Sequence, residues 1–489
     1  MRHLFHFRII RKILLRRIHT LKVSFFSLVL LAVLVLMIAT MHSPTDTGSQ
    51  WPSDEALTYR RFHVEEENGR VVTVTPIPFT KPPLWARDVA QDEWDWTAAI
   101  KNPKTPYFEG PIPFVIAPPE DADEPFYQHN HQPSIAWLNN GDLLAIWYST
   151  ARESGTEMTV LASRFHASAQ TWDTSSEFFK AENRNMTGSS LFHDGEGTIY
   201  HFNGMGPYGG TGWANLALLM RTSRNNGVTW TPPHAIGPEI KGRHQVISGT
   251  LMTNDSVLIQ PCDAVPSGQG GTAIHISRDG GLTWIDPGVG KPKPTFAEGG
   301  VGQGTIAGIH AGVVELNDVR LMALGRGNNI NGYMPTSVSD DGGESWTYSA
   351  SPFPPIDGGQ RLVLMRLREG PILFVSFTSN NRRNPRSRGL SFTDEGGNEF
   401  TGYGMFAALS QDDGETWPIR KLITPGEGEY DGGAWTGQFT TSPDNAEHSG
   451  YLAATQAPDN VIHLISSRLH YRFNLAWLQQ PNEGPHGNE

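Results

Sequence analysis

A single cysteine, Cys262, stands in 489 residues. It has no partner for an internal disulfide and no second thiol for a CxxC redox or zinc pair, so a disulfide framework and dithiol chemistry are both excluded. Metal-binding spacing is missing as well. No HExxH, no histidine pair at i, i+4 and no DxDxDG loop occurs, so no metal and no cofactor is expected. Positive charge is scarce, with 38 Lys plus Arg against 50 Asp plus Glu and a net charge of −12. A phosphate backbone needs clustered positive charge, which argues against a nucleic-acid partner.

Long apolar runs are also lacking, with one exception. Residues 23–41 (VSFFSLVLLAVLVLMIATM) are uncharged for 19 positions, and residues 1–22 before them carry seven Lys or Arg and no acid. Nineteen residues of helix at about 1.5 Å each just span a bilayer core. A basic cytoplasmic tail, a transmembrane signal-anchor and an extracytoplasmic remainder are therefore expected, which makes the chain a single-pass membrane protein. The alternative is a signal peptide that is cleaved to secrete the protein, but the apolar run is long and no clear small-x-small site follows it. Beyond position 41, 31 basic residues face 50 acidic ones.

What the chain has in quantity is turn and strand material: 52 Gly, 35 Pro and 14 Trp. Residues 42–125 are rich in Pro, Asp and Glu and read as a stalk and extended lead-in. From 126 to 480 one pattern recurs: an apolar run, a polar turn, a second apolar run, a loop, and a third strand ending in a turn of the form SxDxGxTW. Clear copies run over 277–284 (SRDGGLTW), 339–346 (SDDGGESW) and 410–417 (SQDDGETW), with a worn copy at 223–230 (SRNNGVTW). The closing tryptophans fall at 172, 230, 284, 346 and 417, a period of 54 to 71 residues. Self-similarity on this scale with short strands predicts an all-β, six-bladed β-propeller behind the N-terminal transmembrane helix. In the turn itself, Asp accepts backbone N–H bonds, Gly takes a positive φ and Trp packs between blades. Those are folding roles on the outer rim, away from any site.

A propeller places its pocket where the innermost strands start. Polar residues at those positions are His129, His131, Gln132, Arg152, Glu153, Glu157, Arg243, His244, Gln245, His310, Arg326, Arg361, Tyr451 and Arg468. Guanidinium groups grip a carboxylate in bidentate fashion, so several arginines on one mouth of an acidic protein point to an acidic carbohydrate. Arg326, Arg243, Arg152, Arg361 and Arg468, with His244, are the candidate substrate-binding residues.

The repeated turns are those called Asp-boxes or BNR repeats, and over about 129–478 the chain resembles the sialidase (neuraminidase) superfamily. That resemblance implies a glycosidase acting on sialic or uronic acid. Arg326, in VVELNDVRLMALGR, falls at the place of a family carboxylate-binding arginine, and Tyr451, in YLAATQAPDNVIHLISS, at the place of the tyrosine nucleophile. His310 stands where the family has a glutamate that activates the tyrosine, and no FRIP-like segment supplies the first arginine. Glu157 is the nearest match to the family's general acid, with Glu153 beside it. The expected reaction is exo-hydrolysis with Tyr451, Glu157, His310 and His131 as catalytic candidates. Two other readings stay open. The His-rich rim suits a polysaccharide lyase using His/Tyr acid–base chemistry on uronates, and the missing family residues suit a non-catalytic glycan-binding propeller.

Overall fold

The computed structural model describes residues 57–79, 81–99, 103–264 and 269–485. The tail and anchor expected within 1–41 lie outside them. Among the described residues no helix is long and apolar enough to cross a membrane.

The architecture is all-β and propeller-like, built from antiparallel sheets that follow one another along the chain. The first sheet begins at its inner strand, His129–Trp137, and continues through Leu143–Thr150, Thr159–His166 and Ser176–Ala181. Equivalent sheets start at Ser189–His193, Gln245–Val246, Ile309–Glu315, Val363–Arg366 and Ala453–Gln456. Second strands such as Leu143–Thr150 are buried at every position because both of their faces lie against neighbouring sheets. This is why they read as unbroken apolar runs and not as alternating ones. The cores lie between sheets: Leu364, Phe374 and Phe406 of the fifth pack with Met322 and Leu324 of the fourth and with Leu464 and Tyr471 of the sixth.

The turns seal these interfaces. Asp341 Oδ1 accepts the Ser345 N–H and the Ser339 hydroxyl, each at 2.8 Å, while Trp346 Nε1 donates to the Gly343 carbonyl at 3.1 Å. Asp279 and Asp412 repeat the pattern with Thr283 and Thr416. Gly343 sits at φ 97°, and a Cβ there would come within 2.3 Å of Ile274 in the preceding sheet. The position needs glycine both for its backbone and for the close approach.

The segment read as stalk and lead-in takes part in the fold over its described length. Strands β1 (Arg61–Glu67) and β2 (Arg70–Ile77) form a hairpin. β1 runs parallel to Ser176–Ala181 of the first sheet, and β2 meets His234–Lys241 of the second, so the hairpin ties two outer edges together and covers strands that would otherwise be open to pairing. Tyr59, Phe62 and Trp85 are buried beneath it. Further on, β3 (Phe108–Pro113) pairs with Leu469–Phe473 and completes the last sheet. The N-terminal part of the fold thus closes onto its C-terminal part.

Candidate active site

Inner strands start, and second strands end, on one face, around a cavity of about 180 Å³. Gln132, Tyr148, Glu153, Asp263, His310, Arg326, Arg382, Trp435 and Tyr451 are among its lining residues. Two irregularities aim side chains into it. In the first inner strand, β4 (His129–Trp137), the register shifts between His131 and Ser134, with Gln132 at φ 58°. In Ile309–Glu315 it shifts between Ile309 and Gly312, with His310 at φ 51°. Trp435, in a loop over the cavity, sits at φ 66°. Bulges and left-handed backbone at three non-glycine residues around one cavity are strain of the kind that gathers at functional sites.

At the floor, the Tyr451 hydroxyl meets two groups. His310 Nε2 lies 2.9 Å from it, and Arg326 Nη1 donates to it at 2.9 Å and to the Gln360 carbonyl at 3.0 Å. Behind His310, Asp263 Oδ1 accepts the His310 backbone N–H at 2.6 Å, and Oδ2 lies 2.7 Å from Nδ1, off the axis of a directed hydrogen bond. A carboxyl at Nδ1 favours the proton there, which leaves the Nε2 lone pair for the Tyr451 O–H. Burial pushes the His310 pKa down to about 4, against the pull of Asp263, so the ring is a neutral acceptor at pH 7. Burial also raises the Tyr451 phenol, and the Arg326 guanidinium works in the opposite direction. The arrangement is a base, a phenol and a cation that stabilises the phenolate.

The other expected residues divide. His131 is buried with its ring centroid 3.8 Å from that of Tyr451, and its Nδ1 bonds the Ser467 hydroxyl, which also accepts the Tyr451 N–H. It supports the tyrosine from behind. Arg361 is fully buried, donates to the Leu452 and Pro133 carbonyls, and has its guanidinium 5.3 Å from the Tyr451 ring. It contributes charge and does not reach the cavity.

Glu157 turns back onto its own loop, where one oxygen accepts from the Thr150 hydroxyl and the Ala151 and Arg152 N–H groups. The glutamate that lines the cavity is Glu153, held by the Tyr148 hydroxyl at 2.8 Å and by His129 Nε2 at 3.1 Å. Burial disfavours its charge, yet these bonds outweigh burial and hold its carboxyl below the usual range.

Arg243 is clamped bidentate on Asp286, Arg468 pairs with Asp431, and His244 Nδ1 bonds the Leu216 carbonyl. None of the three lines the cavity, nor does the exposed Arg152. Of the substrate-binding candidates, Arg326 alone does.

Sequence reasoning missed Asp263, Tyr148, Arg382, Trp213 and Trp435, all of which line the cavity. Asp263 had a readable signal, since it is an acid that ends the buried strand Leu258–Asp263 on the pocket face. Two further groups ask for a partner: Gln132 Oε1 and Gln245 Oε1 are buried in the lining without a hydrogen bond. Buried unmade acceptors of this kind are satisfied by a donor that a ligand brings.

The model of the BNR repeat-like domain matches residues 141–464. The chain belongs to that family. The match agrees with the Asp-box reading of the sequence and with the sialidase-superfamily assignment. No curated protein matches the chain. Among solved structures, a protein of unknown function from Dyadobacter fermentans is similar at 14% identity and TM-score 0.49, over 75% of this chain and 98% of that one. The NanB sialidase from Streptococcus pneumoniae is similar at 14% identity and TM-score 0.49, over 74% and 71%. An alpha-L-arabinanase from Penicillium chrysogenum is similar at 14% and 0.42, over 75% and 98%.

Proposed function

We propose that the six sheets form one closed six-bladed propeller, held outside the cytoplasm by the N-terminal anchor, and that it hydrolyses terminal acidic sugars, sialic or uronic, from glycans. The observation that carries this reading is the Tyr451 hydroxyl, held at 2.9 Å by both a neutral imidazole and a guanidinium. The Tyr451 proton passes to His310 Nε2 as the phenolate oxygen bonds the anomeric carbon and the glycosidic bond breaks. A sugar carboxylate entering beside Glu153 raises the affinity of Glu153 for a proton. Glu153 thus takes one up on binding, gives it to the leaving oxygen and recovers one from the water that releases the sugar, while His310 returns its proton to Tyr451. Arg326 and Arg382 supply the positive charge for the sugar carboxylate, and Gln132 and Gln245 the acceptors for its hydroxyls.

A second reading, β-elimination from a uronate, is favoured by one observation: Glu153 is held in its charged form by His129 and Tyr148, which leaves it without a proton to donate. Product analysis separates the two. Incubation with sialosides and with uronate-containing polysaccharides is expected to release free sugar with no ultraviolet-absorbing unsaturated product, because hydrolysis forms no C=C bond. Accumulation of that chromophore would replace the hydrolase by the lyase, and neither product, with binding retained, would leave a glycan-binding propeller.

A further inference from the structure

The densest positive segment of the described chain begins at this cavity. Residues 382–388, RRNPRSR, hold four arginines and no acid, in a protein with a net charge of −12. They belong to the connection that leaves the second strand of the fifth sheet, Ile372–Phe377, on the cavity face. Arg382 lines the cavity itself, with its guanidinium 4.4 Å from the Trp435 ring centroid. Arg383, Arg386 and Arg388 are exposed, and among the described residues the one ion pair of the four joins Arg386 to Asp444 at 2.6 Å.

The loop is fixed in shape. Ser379 and Ser387 bond through their hydroxyls at 3.0 Å, the Asn384 N–H bonds the Asn381 side chain at 3.1 Å, and the Arg386 guanidinium lies over the Tyr403 ring at 4.2 Å. Like charges held close on a rigid loop repel one another, and an anion relieves that repulsion. A cavity of about 180 Å³ has room for one sugar ring, and from Arg382 in its lining the loop continues into exposed chain.

We propose that the 382–388 loop is an anion-binding extension of the cavity, taking a carboxylate or sulfate ester on the sugar next to the one bound within. This rests on the acidic-sugar reading above and narrows it, because the substrate then carries repeated negative charge: a polyanionic polysaccharide, not a neutral oligosaccharide with one acidic end. The loop's guanidiniums match such groups in bidentate geometry.

The test uses the full chain in detergent, with polygalacturonate, chondroitin sulfate and neutral dextran as polymers and free glucuronate as a ligand that fills the cavity alone. The two charged polymers are expected to bind, more weakly as salt rises, and dextran is not. The double variant Arg383→Gln/Arg388→Gln is expected to lose roughly tenfold in polymer affinity, as two exposed ion pairs would give, with its affinity for glucuronate unchanged. Equal polymer affinity in the double variant, or binding of single-stranded DNA or anionic lipid vesicles as tight as that of the polysaccharides, would overturn the proposal. Failure of the cavity reading shows separately, as glucuronate binding that is indifferent to Arg326→Ala.

Discussion

At the scale of single residues, the site turns on a substitution of chemistry. Where the resemblance asks for a glutamate next to the tyrosine, His310 is the proposed base, and Asp263 accepts its backbone N–H and lies against its ring. Asp263→Asn keeps the volume but puts an amide donor beside Nδ1. The proton then shifts to Nε2, which can no longer accept from Tyr451. Turnover is expected to fall by about 10²–10⁴, the range for loss of a positioned base, with KM and the thermal midpoint moving far less. A variant with wild-type kcat would show that His310 does not take the proton. The two glutamates separate in the same assay. Glu153→Gln removes the glutamate carboxylate that lines the cavity beside Tyr148 and is expected to cost at least about 10² in kcat. Glu157→Gln loosens a loop and is expected to change kcat less than about fivefold. The reverse order would return the acid role to Glu157.

At the scale of elements, folding and function occupy opposite ends of each sheet. The Asp-box turns hold the outer rim and the bulged starts of inner strands hold the site. Asp341→Ala deletes the acceptor for the Ser345 N–H and for the Ser339 and Ser345 hydroxyls. It is expected to cost about 1–2 kcal/mol, because the turn is exposed and water replaces part of what is lost. Gly343→Ala adds a left-handed alanine and a methyl pressed on Ile274, and is expected to cost more. Chemical denaturation of both variants checks the order, and glycan affinity at the distant cavity is expected to stay unchanged in each. The same division explains what could be read in advance. The boxes are local, five residues bonding one another, so sequence alone exposed them and with them the repeat. Tyr451, His310 and Arg326 were also legible, because each sits at a fixed place relative to a strand pattern. Arg382 and Trp435 were not, since they come from long irregular loops whose approach to the cavity depends on the tertiary fold. Arg243, Arg361 and Arg468 were misjudged because a sequence does not show a paired or buried guanidinium as different from a free one.

At the scale of the whole molecule, the fold stores many neutral imidazoles. Among the described residues, burial above all lowers the pKa of nine histidines, to about 4 for His193 and His310 and to about 3 for His244 and His463, from 6.5. Between those values the unfolded chain binds protons that the native state refuses, so stability rises with pH across that window. The contribution is complete above pH 6.5 and is lost on acidification toward the native values. At pH 5 each of the four histidines held at about 3 to 4 costs on the order of 2 kcal/mol before compensation. One buried acid acts in the opposite direction. Burial pushes Glu447 up to about 8 from 4.5, with its Oε2 bonded to the Tyr471 hydroxyl, so its neutral form favours the native state at low pH and its contribution is lost as pH rises through 8. One carboxyl does not balance nine imidazoles. The denaturant midpoint is therefore expected to fall steadily from pH 7 to pH 5, well above the range where ordinary carboxylates titrate. Glu447→Gln, which keeps a neutral side chain at that position, is expected to flatten any decline seen between pH 7 and pH 8 and to steepen the acid-side slope, which Glu447 opposes. A midpoint that is constant from pH 7 to pH 5 would mean that the imidazoles are protonated in the native state, His310 with them, and the proton acceptor for Tyr451 would be lost.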